Sequence, residues 1–144
     1  RSSVNGARGV GLKQGLEILE KVGKEFECPL LTDVHEPDQC GVTGEVVDII
    51  QIPAFLCRQT DLIQAAAETK RVVNVKKGQF LSYTDTNNIC RKVSETGNSQ
   101  SVIIERGTSF GYGNLIVDKP LQSLRPLPPP LLNRTSQQNR FLKP

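Results

Sequence analysis

The residues that could do chemistry in this chain stand where short apolar runs end. Asp33 and His35 follow Leu30-Leu31-Thr32, and Gln51, Ala54 and Arg58 close or follow Val46-Val47-Asp48-Ile49-Ile50. Lys76 and Lys77 follow Val72-Val73-Asn74-Val75, and Glu105 and Arg106 follow Ser101-Val102-Ile103-Ile104, with Gly107-Thr108-Ser109-Phe110-Gly111-Tyr112 after them. In parallel α/β folds ligands sit beyond the carboxyl ends of the strands, so such residues converge on one rim. Arginine forks and lysine point charges on that rim suit a phosphate or carboxylate, and the expected ligand is a small phosphorylated metabolite. Taken singly, each residue also has a plainer use: a basic residue at a strand end is commonly a solvated rim residue, and His35 reads as a hydrogen-bonding structural residue. Adjacent lysines in a strand are more informative, because alternation sends Lys76 and Lys77 to opposite sides of the sheet. One of them must face inward and needs an anion, or a carboxylate such as Asp33 or Glu105. Glycines beside Arg106 permit tight turns and let backbone N–H groups approach an oxyanion.

The elements that must position these residues alternate. Leu12, Leu16, Leu19, Val22 and Phe26 recur at helical spacing and predict a helix over 11–26 with one buried stripe. Pro37 suits the first turn of a second helix over 38–45, weakened by Gly41 and Gly44. The near-continuous apolar run 46–52 predicts a parallel strand buried on both faces and ended by Pro53. Helices over 60–70 and 85–95 alternate with strands over 72–77 and 101–106. Strands separated by helices imply parallel βαβ units with right-handed crossovers, and the class is α/β.

Composition narrows the function. Residues 1–118 hold 13 Lys and Arg against 15 acidic residues, a net of −2, whereas 119–144 hold 5 basic residues and no acidic one. The overall +3 therefore belongs to the tail, and with only 5% aromatic residues a nucleic-acid surface is not expected. No apolar run approaches a membrane span, and no apolar h-region follows Arg1, so a cytoplasmic location and no membrane partner are expected. Cys28, Cys40, Cys57 and Cys90 are too scattered for a zinc ribbon, and there is a single His; they read as reduced packing thiols. Six of the nine prolines fall at or after 120, so 119–144 reads as an extended or disordered tail, either a plain extension or a proline-rich docking segment.

Four motifs go further. Leu31-Thr32-Asp33-Val34-His35-Glu36, Gln51-Ile52-Pro53-Ala54-Phe55-Leu56-Cys57-Arg58-Gln59-Thr60-Asp61, Asn74-Val75-Lys76-Lys77-Gly78-Gln79-Phe80 and Glu105-Arg106-Gly107-Thr108-Ser109-Phe110-Gly111-Tyr112 closely resemble the 3-deoxy-D-manno-octulosonate 8-phosphate synthase family, in the same order. The resemblance covers about 1–118. It implies a (β/α)8 TIM barrel, of which this chain supplies about four central βα units, assembled as a homo-oligomer, a tetramer. It also implies condensation of phosphoenolpyruvate with arabinose 5-phosphate, releasing phosphate. Carried over residue by residue, Lys76, Arg106 and the backbone of Ala54 hold the phosphoenolpyruvate phosphate, and Gln51 and Asp33 line the reacting centre. Lys76 and Asp33 are the catalytic candidates. Arg1 and Ser2 match the arabinose 5-phosphate segment, and Arg58 the arginine that reaches the sugar phosphate across a subunit interface. Some members use a divalent metal, but the family's ligand positions have no counterpart here, so no metal or other cofactor is expected in this chain. Two other readings stay open: a sibling synthase acting on erythrose 4-phosphate, and a non-catalytic truncated product.

Overall fold

The structure, a computed structural model, describes residues 4–117. Arg1, Ser2 and the tail expected over 119–144 lie outside the described residues. The elements are α1 (Leu12–Phe26), β1 (Leu31–Asp33), α2 (Pro37–Val46), β2 (Ile49–Ile52), a 3-10 turn (Ala54–Leu56), α3 (Thr60–Glu68), β3 (Val72–Lys76), α4 (Thr86–Ser94), β4 (Ser101–Ile104), β5 (Thr108–Phe110) and β6 (Asn114–Ile116). Strands β1 to β4 form one parallel sheet in sequence order, and β5 and β6 pair antiparallel beside it. α1 packs on α2, α2 on α3 and α3 on α4, so the helices form one row. Consecutive parallel strands backed by a single row of helices are the winding of a (β/α) barrel, whereas a doubly wound sheet carries helices on both faces.

Side-chain alternation divides the sheet. Ile50, Ile52, Val73 and Val75 point into the helix layer, where they are fully buried with Val47, Leu62, Ile63, Ala66, Ala67, Ile89 and Val93. The opposite face takes the other parity, and there Leu31 and Val102 remain 42% and 49% exposed. The second strand is buried on both faces beyond its first residue: Ile50 and Ile52 against the helices and Gln51 on the other face, with Ile49 half-buried. That strand is also shorter than its apolar run, because Val46 closes α2 and Val47 caps it.

The stripe of α1 needs a similar correction. Leu16, Leu19 and Val22 are half-buried, but Leu12 and Phe26 at its ends are exposed, since among the described elements α1 packs chiefly on α2. α2 is better anchored than its glycines imply. Pro37 stands in its first turn, and Glu36 and Gln39 exchange side chain-to-backbone hydrogen bonds in a capping box. Gly44 is required rather than tolerated: a Cβ there would come 2.9 Å from Thr69 Cβ on the neighbouring helix end.

Candidate active site

Three in-register residues build the floor of the site. Asp33 of β1 pairs with Gln51 of β2, and Gln51 with Asn74 of β3, so all three point to the face away from the helices. Gln51 Nε2 donates to Asp33 Oδ1, and Asn74 Nδ2 donates to Gln51 Oε1 at 3.1 Å. Lys76, two residues after Asn74, rises from the same face, with Nζ 3.8 Å from Asp33 Oδ1. A carboxylate only accepts, so Asp33 fixes which way both amides point. The row ends on Asn74 Oδ1, which is buried with no hydrogen-bond partner among the described residues. Asn74 is the member of this row that sequence reading passed over. Its signal was present: Asp33, Gln51 and Asn74 are each a polar side chain inside a β-branched apolar run.

The rim above this floor comes from the loops after the strands. The 3-10 turn places Ala54, buried, and Phe55, exposed, after β2. Arg106 lies over the Phe55 ring, its guanidinium carbon 5.8 Å from the centroid, and its Nη1 donates to Gln79 Oε1 at 2.6 Å. Ser109 N–H in turn donates to Gln79 O at 2.8 Å. The loops after β2, β3 and β4 therefore meet around Arg106, which is itself exposed. Of the residues expected to bind, Asp33, Gln51 and Lys76 share one face, and Arg106 is tied to the Ala54 turn through Phe55. Arg58 is exposed on the next stretch of loop, where its backbone carbonyl accepts from Lys92 Nζ at 3.0 Å. Arg1 and Ser2 lie outside the described residues.

The two lysines separate as alternation requires. Lys76 takes the site face, while Lys77 points into the helix side, fully buried, with Glu105 Oε1 3.6 Å from its Nζ. His35 is exposed, and it is its backbone N–H that is held, by Gln39 Oε1 at 2.9 Å. All four cysteines are free. Burial pushes the Cys40 thiol up to about 11 and raises that of Cys57, while Cys28 is exposed and so departs from the expected packing role. Among the described residues no cluster of three or more His, Cys, Asp and Glu side chains could hold a metal ion. A separate hollow of about 310 Å³, lined by Gly44, Glu45, Thr69, Lys70 and Arg71 among others, lies by the start of β3 and contains none of these groups. Among the described residues no helix is long and apolar enough to cross a membrane.

A model of the DAHP synthetase I family matches residues 1–121. The chain belongs to the DAHP synthetase I family. Within its reach of similarity stand proteins named 2-dehydro-3-deoxyphosphooctonate aldolase. Over 118 residues the chain is 56% identical to that of Bartonella quintana (strain Toulouse), covering 82% of this chain and 42% of that protein. It is 57% identical to that of Rickettsia canadensis (strain McKiel) and 58% to that of Rickettsia rickettsii (strain Sheila Smith), each over 82% of this chain and 43% of the relative. The chain thus spans about two fifths of the length of the curated relatives it matches. Membership of the DAHP synthetase I family agrees with the parallel sheet and its single helix row.

Proposed function

We propose that this chain carries the central strands of an enzyme that condenses phosphoenolpyruvate with D-arabinose 5-phosphate to 3-deoxy-D-manno-octulosonate 8-phosphate. The observation that carries the reading is the joining of Lys76, Asp33 and Gln51 on one sheet face, with Arg106 docked on the neighbouring Ala54–Leu56 turn. Relatives named for the octulosonate product support it over the sibling acting on erythrose 4-phosphate. In the reaction C3 of phosphoenolpyruvate bonds to the sugar aldehyde carbon, whose oxygen becomes a hydroxyl. Water adds at C2, the C2–O bond to phosphorus-bearing oxygen breaks, and inorganic phosphate leaves.

Lys76, Arg106 and the Ala54 backbone grip the phosphate and stabilise it as it departs. Asp33 and Gln51 orient the reacting end. Arg1 and Ser2 belong to the segment that binds arabinose 5-phosphate, and Arg58 reaches the sugar phosphate from a neighbouring subunit of a homo-tetramer. The described residues 4–117 belong to the barrel part. The chain works in the cytoplasm without nucleic acid or membrane partners.

The reading is tested by incubating the chain with phosphoenolpyruvate and either aldose phosphate and measuring phosphate release. Release with arabinose 5-phosphate is the expected outcome. Release only with erythrose 4-phosphate selects the sibling. No release with either sugar, beside turnover by the full-length Bartonella quintana relative, selects a non-catalytic product.

A further inference from the structure

We propose that Lys77 is the positioning residue for Arg106, acting from inside the helix layer through the two residues that flank that arginine. The inference rests on the phosphate-site reading above. Lys77 is fully buried, so no ligand can touch it. Its Nζ lies 3.1 Å from Gly107 O and 3.6 Å from Glu105 Oε1, the residues on either side of Arg106. It also donates to Leu81 O at 3.1 Å, to Gly78 O at 3.3 Å and to Thr108 Oγ1 at 3.3 Å. The Glu105 carboxylate closes the ring by accepting the Gly107 N–H. One buried charge therefore gathers the loop after β3 and the loop after β4, and Arg106 is the residue between its anchors.

The segment has little slack. Gly107 holds φ +88°, and a Cβ there would come 3.0 Å from Leu115 Cβ. The Lys77 N–H donates to Ile104 O at 2.9 Å, fixing where β4 ends. With its backbone held on both sides, Arg106 has a guanidinium that Gln79 and Phe55 can aim.

Stability alone does not account for a lysine here. The two preceding residues of the same parity are Val73 and Val75, and an apolar side chain would continue their row without desolvating a charge. Glu105 Oε2 is left buried without a partner among the described residues, a further cost of the arrangement. What the ammonium supplies is convergence: several oxygens from two loops on one point.

A double-mutant cycle separates positioning from simple stapling. Phosphoenolpyruvate is titrated calorimetrically into the chain, into Arg106→Ala, into Lys77→Met/Glu105→Gln, and into the triple variant. The Lys77→Met/Glu105→Gln pair removes both charges while leaving an amide oxygen for Gly107 N–H. Each of the first two substitutions is expected to weaken binding by about tenfold or more, the scale of a charge-assisted hydrogen bond. The triple variant should bind no more weakly than Arg106→Ala, because Lys77 acts only through that arginine. Should the paired variant fail to fold by circular dichroism, Lys77→Gln is read in the same cycle; it keeps a donor but is one bond shorter.

Unchanged affinity in a folded Lys77 variant, or a loss that adds in full to that of Arg106→Ala, overturns the inference and leaves the phosphate-site reading standing. No binding by the unsubstituted chain, or an Arg106→Ala variant that binds as well, overturns the reading itself, and the inference with it.

Discussion

At the level of single residues, the acceptor-only character of Asp33 has the widest reach. It holds Gln51 Nε2, which turns Gln51 Oε1 toward Asn74 and leaves Asn74 Oδ1 facing onward, and it stands 3.8 Å from Lys76 Nζ. Asp33→Asn changes almost no volume and keeps an oxygen that can accept from Gln51 Nε2, but it removes the counter-charge of Lys76. Lys76 then loses the charge that holds it beside the amide row. On the proposed reading, turnover of phosphoenolpyruvate with arabinose 5-phosphate is expected to fall on the order of 10²-fold, the cost of misplacing a reacting group. Steady-state phosphate release checks this, and turnover within about twofold of the unsubstituted chain would remove Asp33 from the site. Sequence reading reached Asp33, Gln51 and Lys76 one at a time. It could not join them, because the register that aligns residues 18 and 23 positions apart is set by the whole sheet and not by local pattern.

Among the elements, the approach of α2 to the end of α3 makes the sharpest demand. Both glycines of α2 read as weaknesses in the sequence, yet they differ in surroundings. A Cβ on Gly41 meets nothing within 4 Å, whereas one on Gly44 would lie 2.9 Å from Thr69 Cβ, and the Gly44 carbonyl accepts from Arg71 Nε at 2.7 Å. Gly41→Ala is therefore expected to stabilise by about 0.5–1 kcal/mol through helix propensity and unfolded-state entropy. Gly44→Ala should destabilise by about 1–3 kcal/mol through overpacking. Denaturant midpoints of the two variants should move in opposite directions; a shared direction would contradict the helix packing. The order of helices and strands was legible because each period is local, 3.6 residues against two. The 3-10 turn at Ala54–Leu56 and the β5–β6 hairpin were not, since three-residue elements carry too few side chains to show a period. The hairpin turn at Gly111, with φ +71°, is the one local mark it left.

Across the whole molecule, the sheet is a boundary between two different environments, and that difference decides which apolar residues hold the fold together. Ile50 is fully buried between β2 and the helix row, while Leu31 and Val102 on the other face keep nearly half their surface. Removing buried atoms leaves a cavity, so Ile50→Ala is expected to cost about 2–5 kcal/mol. Leu31→Thr and Val102→Thr remove surface that is already half in water and leave a β-branched side chain on the strand in each case, so each should cost about 0.5 kcal/mol or less. An apolar dye supplies an independent reading of the same asymmetry: the Leu31→Thr/Val102→Thr chain should bind less of it than the unsubstituted chain, at nearly the same denaturation midpoint. If Leu31→Thr instead shifts the midpoint as far as Ile50→Ala does, the site-bearing face is covered in solution. A midpoint that then moves with protein concentration would mean that a second copy covers it, and one that does not would assign the cover to the same chain.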